Sequence, residues 1–439
     1  MMVRMLTFLF CFTLISAQAE MNYSYELKYG DGQQVTGTAS GNPDTTAYSY
    51  FENLLDVNLY LGPNLYLFTQ LEYSDDPVYG SRRTTLDSVI NTFYLEYSGD
   101  NYLLKLGDLY ELYGRGLSFY THQDQNIDYN NSVRGAYLHY WLRDNIEIST
   151  LYGYGDYLYR SNPSFRKTNR KISSAVFAGS VRYEHDLLGF INYSYTNQNI
   201  DLDPTLTKIF EDGNEIRDDL VDRMADPNFP IEVLGEEILD TVQVHNNNVN
   251  WNTTIGPLEV YIDKSWITYD KIYGDPTFGS RFYSSIYTEL FETGITYEYK
   301  SYFTPYLIKS ISNPPIVYRE SNSVLASRNA HSINFGNEIG HQIEFNRVIL
   351  GDKNLSGNLS MSFRHQGEEM VGMSFFDFLK MDENEQLYDY FPYRQGYLEL
   401  NGWTLNDKLY FKIGLDQFTE FNVGSKHIFA TTIPTQWTW

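Results

Sequence analysis

The chain has 439 residues, with 32 Lys and Arg against 56 Asp and Glu, so its formal net charge is −24. This acidic balance opposes nucleic-acid binding, which needs a basic face to neutralise phosphates. The mean hydropathy of −0.41 excludes a bundle of apolar membrane helices. Aromatic residues make up 17% of the chain and include 40 Tyr. A disordered chain lacks apolar surface to bury, so this composition excludes disorder.

Residues 1–19 have the features of a secretory signal peptide. Arg4 supplies the basic start, residues 6–15 are apolar, and residues 17–19 read Ala-Gln-Ala, the small-x-small pattern of a cleavage site. We therefore expect cleavage before Glu20 and a single domain over residues 20–439. The only cysteine, Cys11, lies inside the predicted signal, so the mature chain has no disulfide. A large exported protein without disulfides is typical of a bacterial envelope.

Alternating apolar and polar residues predict strands along most of the mature chain. The clearest segments are residues 22–29, 48–61, 258–265, 333–346, 355–364, 408–416 and 427–439. Successive side chains of a strand point to opposite faces, so each segment has one apolar and one polar face. On this basis Leu359, Met361, Phe363, Leu409, Phe411 and Ile413 are expected to face outward, and Asn358, Ser360, Lys412 and Asp416 to face inward.

Short turns and long polar segments alternate along the chain. The predicted short turns lie at residues 62–64, 99–101, 143–145, 185–187, 256–257, 300–301, 351–353 and 406–407. The longer segments lie at residues 74–89, 109–132, 154–172, 198–242, 268–284, 311–330, 365–394 and 418–426. Eight hairpins give about 16 strands, and the first and last strands raise the total to about 18, with roughly 16–22 open.

This alternation predicts an all-β fold, a single transmembrane antiparallel β-barrel with short periplasmic turns and long outer loops. We expect Asp100, Asp144, Asp186, Asp352 and Asp407 at one end, and loops 198–242 and 365–394 at the other. The alternative is a soluble β protein whose apolar face points inward. Strands of about 9–11 residues, aromatic residues near strand ends and the predicted export signal favour the barrel.

The chain ends in Gln436-Trp437-Thr438-Trp439, which resembles the terminal aromatic insertion signal of outer-membrane barrels. Pro434 stands where that signal usually has glycine, and proline weakens a strand ladder. Two interpretations therefore stay open. Either the barrel ends at Trp439, or the chain stops inside a strand and more strands follow.

The most distinctive segment, residues 104–120, combines Gly107-Asp108 with Gly114-Arg115-Gly116. It resembles an uncharacterised family of Gram-negative outer-membrane β-barrel proteins, a domain of unknown function, and the resemblance extends loosely over most of the mature chain. The resemblance implies an outer-membrane location and no established activity or catalytic residue. From the residues themselves, the glycines allow a bend or a close backbone approach, and Arg115 is expected to pair with interior acids. A structural bend is favoured over a ligand site.

Catalytic motifs are missing from the sequence, which has no Gly-x-Ser-x-Gly, no His-Glu-x-x-His and no phosphate-binding glycine loop. His122 and Asp124 are the best candidate acid–base pair, but isolated His near Asp is usually loop polarity. The acids of loop 198–242 do not match the spacing of an EF-hand, so a solvated loop is expected there rather than a Ca²⁺ site. We therefore expect no enzyme, no cofactor and no metal site.

A porin-like channel is the first functional interpretation, because barrels of 16–18 strands leave an aqueous interior. The predicted lumen residues are Lys105, His139, Glu147, Glu259, Asp263, Glu338, Glu344, Arg364, Lys412 and Asp416. Acids outnumber fixed bases among them, so a weak cation preference is expected. Expected partners are outer-membrane lipid, the barrel-assembly machinery, and a small polar solute or a protein at the outer loops. The alternative is a plugged structural or partner-binding barrel, such as a secretion-system component, and a barrel hydrolase ranks last.

Overall fold

The computed structural model describes residues 19–37, 43–75, 89–124, 129–159, 170–201, 241–270, 276–304, 315, 337–365, 393–406, 408–422, 426–432 and 435–438. Strands and turns account for the regular structure of these residues, and none of them is helical. Within the same ranges, no helix is long and apolar enough to span a membrane. Residues 1–18 of the predicted signal peptide, most of loops 198–242 and 365–394, Asp407, Pro434 and Trp439 lie outside the described residues, while Ala19 is the first residue of the first strand.

The strands cover most of the described chain. In chain order they are β1 (Ala19–Gly37), β2 (Pro43–Leu61), β3 (Leu65–Asp75), β4 (Ile90–Ser98), β5 (Tyr102–Leu109), β6 (Leu112–Tyr113), β7 (Phe119–Tyr120), β8 (Gln123–Asp124), β9 (Tyr129–Asn130), β10 (Val133–Arg143), β11 (Ile146–Tyr159), β12 (Arg170–His185), β13 (Gly189–Asp201), β14 (Thr241–Ile255), β15 (Leu258–Asp270), β16 (Thr277–Leu290), β17 (Thr293–Phe303), β18 (Asn337–Ile349), β19 (Lys353–Phe363), β20 (Tyr393–Thr404), β21 (Leu409–Asn422), β22 (Lys426–Thr432) and β23 (Thr435–Thr438).

The long strands form one antiparallel meander in which each strand pairs with its neighbour in sequence. Strand β5 pairs with β10, so the chain between them, with the short strands β6 to β9, lies outside the ladder. Within the described ranges the large sheet contains 19 strands, of which β22 and β23 both pair with β21 and share one position. The sheet therefore has 18 positions, and the expected count of about 18 is confirmed.

Eight short connections of the meander lie at one end of the sheet, while β21 and β22, from Asn422 to Lys426, are joined by a short connection at the other end. Tight turns join β2 to β3, β4 to β5, β10 to β11, β12 to β13, β14 to β15, β16 to β17, β18 to β19 and β20 to β21. Alternate connections of an antiparallel meander lie at the same end, so these turns define a short-turn end. Asp100, Asp144, Asp186 and Asp352 lie in these turns, as expected.

The predicted turn at residues 300–301 is wrong. Lys300 lies inside β17, opposite Tyr283 of β16 and Gly340 of β18. The chain turns earlier, at Phe291 and Glu292, whose φ angles are 52° and 60°. Neither is Gly, Asn or Asp, the residues that usually mark such a turn. The predicted polar segment 268–284 is also wrong in part, since β15 continues to Asp270 and β16 begins at Thr277.

The two faces of the sheet differ in polarity and in exposure. Large apolar side chains are exposed on one face, among them Leu138, Phe177, Trp266, Leu398 and Ile413. Polar side chains are buried on the opposite face, among them Ser194, Asn248, Ser265, Lys300 and Ser360. A soluble protein buries its apolar face, whereas a barrel in lipid turns that face outward. We call these the outer and the inner face.

The sheet curves around a short piece of chain on its inner face. Leu117 packs with Tyr302 of β17. The same piece of chain leaves the sheet at Leu109, the last residue of β5. Strands β5 and β17 are eight positions apart in the sheet. On a flat sheet, eight steps of about 4.8 Å separate these strands by about 38 Å. The eight residues from Leu109 to Leu117 span at most about 28 Å when extended. The expected fold, a single antiparallel β-barrel, is confirmed.

The outer face is not exposed everywhere. Ile413 is exposed as expected, while Asn358, Ser360 and Asp416 are buried on the inner face. Met361 and Phe363 lie on the opposite face from Ser360, as the alternation predicts, but they are buried against Ile339 instead of exposed. The expectation that these two side chains contact lipid is therefore wrong.

Candidate functional site

Residues 109–124, which we call the inward segment, fold back onto the inner face of the barrel. Tyr113 pairs with Phe119, so the segment forms a small hairpin. An apolar cluster holds its base and consists of Leu109, Tyr113, Phe119, Val133, Tyr137, Leu151, Val176 and Ala178. This cluster is an apolar patch on the inner face, and it anchors the segment to β10, β11 and β12.

Hydrogen bonds hold the tip of the inward segment to the far side of the barrel. The carbonyl oxygen of Leu117 accepts bonds from Arg281 Nη1 at 3.0 Å and from Asn246 Nδ2 at 3.3 Å. The hydroxyls of Ser118 and Ser194 lie 3.1 Å apart. Strands β13, β14 and β16 therefore each supply a polar contact, and the tip crosses the interior between them.

Two glycines shape the tip. Gly114 has φ of +61° and Gly116 has φ of +86°, a left-handed conformation that side chains disfavour. A Cβ added at Gly114 would stand 2.6 Å from Asp263 Oδ2. The glycines therefore permit both the bend and the close approach to β15 that the sequence predicts.

Arg115 lies between these glycines and is exposed in the barrel interior. Its guanidinium donates a hydrogen bond to the Tyr283 hydroxyl at 2.7 Å. It also stands over the rings of Tyr261 and Tyr283, at 4.5 Å and 5.2 Å from their centroids. Tyr283 in turn donates to Glu298. The sequence predicts that Arg115 pairs directly with acids, but its guanidinium instead contacts two tyrosines. The Tyr283 hydroxyl links the guanidinium to the carboxylate of Glu298.

Asp263 fixes the backbone at the tip. Its fully buried carboxylate accepts hydrogen bonds from Asn248 Nδ2 at 2.5 Å, from the Tyr261 hydroxyl at 3.0 Å and from the Arg115 backbone N–H at 3.2 Å. A buried charge needs such partners, because an unpaired one is costly. Asp263 is therefore a structural acid, and its carboxylate does not face the open interior.

A second charged group lies at the base of the inward segment. Lys105 Nζ is 2.8 Å from Glu111 and 3.9 Å from Glu96. The ammonium also stands 5.4 Å from the centroid of Tyr137. Burial raises the pKa of the Glu111 carboxyl, and the hydrogen bond from Lys105 offsets part of that rise. Glu111 is thus a carboxylate held within the barrel by one lysine.

His139 and Glu147 continue this charged inner surface toward the short-turn end. Their side chains approach to 3.6 Å, and His139 Nδ1 lies 3.2 Å from the Tyr137 hydroxyl. Arg182 of β12 reaches Glu147 at 4.0 Å. The structure therefore brings together three of the predicted residues, Lys105, His139 and Glu147, on adjoining strands.

Three predicted residues form a separate inner group on strands β18 to β21. Glu338 pairs with Lys300 at 2.5 Å, and both side chains are almost completely buried. Lys412 pairs with Glu399 at 2.9 Å. Asp416, also buried, accepts a hydrogen bond from Gln395 at 3.0 Å. Glu338 and Lys412 are thus paired with opposite charges in the wall of the barrel, and Asp416 is hydrogen-bonded there.

The remaining predicted residues lie at the margins. Glu259 shares the face of Asp263 near the short-turn end and is exposed. Glu344 lies on the face of Glu338 and Gln342 and is half-buried. Arg364 follows the last residue of β19 and is half-buried. Glu259 and Glu344 are therefore accessible inner acids, unlike Asp263, Glu338 and Asp416.

Several residues that build the site were missed by sequence reasoning. Arg281 and Tyr283 hold the tip of the inward segment, and they fell in a predicted loop. Lys300, the partner of Glu338, fell in a predicted turn. Residues 280–285 show no clear alternation of polarity in the sequence. The inner set is Arg281, Tyr283 and Ser285, and the outer set is Ser280, Phe282 and Ser284. Both sets mix polar and aromatic side chains, so the sequence does not reveal which face is the inner one.

The motif residues Gly107 and Asp108 are not part of the interior site. Asp108 lies on the outer face, where it binds Arg134. His122, the other candidate, stacks on Tyr120 with ring centroids 4.5 Å apart. Across the described ranges, no group of three His, Cys, Asp or Glu side chains is placed to hold a metal ion.

Comparison with protein families gives one match at the N-terminal part of the chain. Residues 2–173 match the model of a "Family of unknown function (DUF6029)". This match confirms the resemblance to an uncharacterised family, and it includes the segment 104–120 that carries the resemblance. No match is found among curated proteins.

Solved structures of similar architecture come from two bacteria, Pseudomonas aeruginosa and Acinetobacter baumannii. Pseudomonas aeruginosa OccK9 (OpdG) is 9% identical with a TM-score of 0.46, and it covers 96% of this chain and 99% of its own. Pseudomonas aeruginosa OccK5 (OpdH) is 11% identical with a TM-score of 0.45 and the same coverage. Acinetobacter baumannii OccAB4 is 10% identical with a TM-score of 0.42, covering 96% of this chain and 98% of its own. At such low identity the likeness concerns the fold alone.

Proposed function

We propose that this protein is an outer-membrane β-barrel of a Gram-negative bacterium, exported by a cleaved signal peptide, and that it acts as a porin-like channel for small polar solutes. Its outer face exposes apolar side chains, which suits contact with lipid, while its inner face is polar. Insertion would involve the barrel-assembly machinery. No nucleic-acid role is proposed for this acidic chain.

The observation that carries the channel proposal is the position of the inward segment. Its tip crosses the interior from β5 to β16, and Arg115 remains exposed there between Tyr261 and Tyr283. A charged side chain on a rigid constriction is a device by which barrels discriminate among solutes. The glycines and Asp263 fix the backbone of that constriction, so the position of Arg115 is well defined.

The accessible charges support weak rather than strong ion selectivity. Asp263, Glu338 and Asp416 are buried and already bonded, so they contribute little to the potential in the open interior. Glu147, Glu259 and Glu344 are accessible acids, and Arg115 is a base placed at the constriction. We therefore propose a slight cation preference, reduced by Arg115.

A closed barrel that binds a partner is the second candidate function. The observation in its favour is that side chains beneath the inward segment, such as Ser194 and Asn248, are fully buried. In this alternative the segment seals the interior, and the connections opposite the short-turn end bind a protein or another component of the cell surface.

Conductance in planar bilayers separates the two candidates. The full-length protein is reconstituted, and its insertion is first verified by resistance to extraction and by its folded mobility in gels. Stepwise current supports the channel, and silence of the inserted protein supports the closed barrel.

Arg115→Gln is the decisive variant in the same bilayers. We expect it to increase the cation preference, because it removes a positive charge from the constriction. Arg347→Gln is the matched control, because Arg347 lies on the outer face near the short-turn end. Equal selectivity in both variants would mean that Arg115 does not line the path.

A further inference from the structure

Gly107 and Asp108 hold the side chain of Arg134 in a fixed orientation on the outer face of the barrel. Asp108 accepts two hydrogen bonds from Arg134, one from Nε at 2.9 Å and one from Nη2 at 3.0 Å. The carboxylate is buried, with 3% of its side chain exposed, whereas 66% of the Arg134 side chain is exposed. A bidentate pair of this kind holds the guanidinium in one orientation.

The backbone of β4 completes the support of Asp108. Its carboxylate also accepts the backbone N–H of Phe93 at 2.8 Å, beyond the last ladder pair between Tyr94 and Gly107. Gly107 has φ of +114°, and a Cβ there would stand 2.2 Å from the Phe93 carbonyl oxygen. Only glycine fits this approach, so Gly107 and Asp108 act together to position Arg134.

Arg134 lies at the upper limit of an apolar column on β10. Below it, toward the short-turn end, the outer face of the same strand carries Ala136, Leu138, Tyr140 and Leu142. Arg134 is nine residues from Arg143 at that end, which is about 23 Å along the barrel axis for a strand tilted by about 40°. The apolar band of an outer-membrane barrel is about 25 Å tall.

Exposed tyrosines flank this position. Tyr154 pairs with Arg134 across β10 and β11, and Tyr152 and Tyr154 pack edge to face with centroids 6.1 Å apart. Both rings are more than half exposed. Tyrosine prefers the depth at which hydrocarbon meets headgroups, since its ring is apolar and its hydroxyl is polar. The guanidinium therefore stands where the phosphate groups of the outer leaflet are expected.

We propose that Arg134, positioned by Asp108, binds a phosphate of an outer-leaflet lipid headgroup; this inference rests on the proposed insertion into the outer membrane. Arginine suits phosphate because its planar donors match the phosphate oxygens. Asp108 neutralises part of the charge, but it fixes the orientation of the exposed guanidinium. Binding at this point would hold the barrel at a defined depth in the bilayer.

Lipid binding by the purified full-length protein tests this proposal. The probes are a bisphosphorylated lipid A and the same glycolipid after removal of its phosphates, and native mass spectrometry measures the bound fraction. We expect the bisphosphorylated form to bind more tightly. Arg134→Gln should lower its affinity about tenfold, the loss typical of one charge-assisted hydrogen bond. Arg347→Gln removes the same charge from the outer face near the short-turn end and should leave the affinity unchanged.

Asp108→Asn separates positioning from simple charge attraction. This variant makes the protein more positive, so general attraction predicts tighter binding of the phosphorylated lipid. Positioning predicts weaker binding, because Arg134 loses its anchor. Tighter binding would overturn the proposal. If this variant does not fold, the comparison of Arg134→Gln with Arg347→Gln decides alone.

The remaining outcomes distinguish this inference from the proposed function. Wild-type protein that fails to insert into vesicles would overturn the membrane-barrel function itself. Inserted protein with equal lipid affinity in wild type and Arg134→Gln would overturn only the lipid site. Loss of a dimer in Arg134→Gln, with lipid binding unchanged, would identify a second copy of the chain as the partner and would also overturn it.

Discussion

The backbone N–H of Arg115 donates a hydrogen bond to the side-chain carboxylate of Asp263 at 3.2 Å, although 148 positions separate the two residues. This bond joins the tip of the inward segment to the opposite wall of the barrel. The same carboxylate accepts hydrogen bonds from Asn248 and Tyr261, so side chains of its own wall hold it in place. The exposed guanidinium of Arg115 is therefore held by its own backbone as well as by Tyr283.

Gly114→Ala should loosen the tip of the inward segment. The new Cβ would meet Asp263 Oδ2 at 2.6 Å, in a residue whose φ of +61° already disfavours a side chain by about 1 kcal/mol. We expect faster amide hydrogen exchange in residues 109–121, measured by mass spectrometry on the folded protein.

Gly256→Ala is the matched control for that variant. Gly256 has φ of +59°, nearly the same backbone conformation, but a Cβ there would meet nothing within 4 Å. It should leave exchange in residues 109–121 unchanged. Equal exchange in the two variants would show that the contact with Asp263 does not hold the segment.

Leu398→Arg should impair insertion into bilayers. Leu398 is exposed on the outer face and lies six residues above the end of β20, about 15 Å from the short-turn end and hence near the bilayer midplane. An arginine there costs roughly 2–4 kcal/mol. The measurement is the folded fraction after refolding into vesicles over a range of urea concentrations.

Thr296→Arg provides the control on the inner face. Thr296 is half-buried and lies opposite Glu344 on β18, so an arginine there gains an acidic neighbour. Its folded fraction should stay close to that of the wild type. If both variants insert equally well, the apolar face does not contact lipid, and the barrel function fails.

The sequence predicts the architecture well because period-two alternation and turn residues are local signals. Strand β19 and the turns at Asp100, Asp144 and Asp352 follow from such signals. The turn at Phe291 and Glu292 carries none, since two large side chains adopt left-handed backbone angles there. Its position is set by pairing with neighbouring strands, which a single segment does not reveal.

The interior site is only partly predictable for a different reason. Arg115 and Asp263 each stand out in the sequence, but their contact depends on how the inward segment crosses the barrel. The apolar inner patch that receives the segment includes Leu151 and Val176, which look like ordinary strand residues. Likewise, Glu338 and Glu344 follow the same alternation in the sequence. In the structure Glu338 is buried against Lys300, whereas Glu344 is only half-buried.

Acidification should weaken the structure around His365, which follows the end of β19. Burial lowers the pKa of this imidazole to about 4. Its hydrogen bonds to Ser301 and Asn337 suit the neutral form of the ring. The unfolded chain has the ordinary value of about 6.5. The stabilisation is therefore complete above pH 6.5 and is lost as the pH falls toward 4.

Unfolding by urea at a series of pH values measures this effect. The loss is at most about 3 kcal/mol, and solvent screening reduces it because the ring is only partly buried. His365→Gln should remove this component of the pH dependence and keep a hydrogen-bonding side chain. An identical pH profile in the variant would contradict the assignment to His365.

Glu344→Lys and Glu338→Gln should have different effects, although the sequence predicts both acids to line the interior. Glu344 is half-buried and accessible, so its reversal should shift the reversal potential of the channel toward anions. The shift should fade at 1 M salt, where the Debye length is about 3 Å. Glu338 is buried against Lys300, so Glu338→Gln should leave selectivity unchanged and destabilise the fold by about 3–5 kcal/mol, since it leaves a buried ammonium unpaired. Reversal potentials in bilayers measure the ion selectivity, and urea unfolding measures the stability. If Glu338→Gln changed the selectivity and Glu344→Lys did not, the conduction path would run past Glu338 and Lys300 instead of past Glu344.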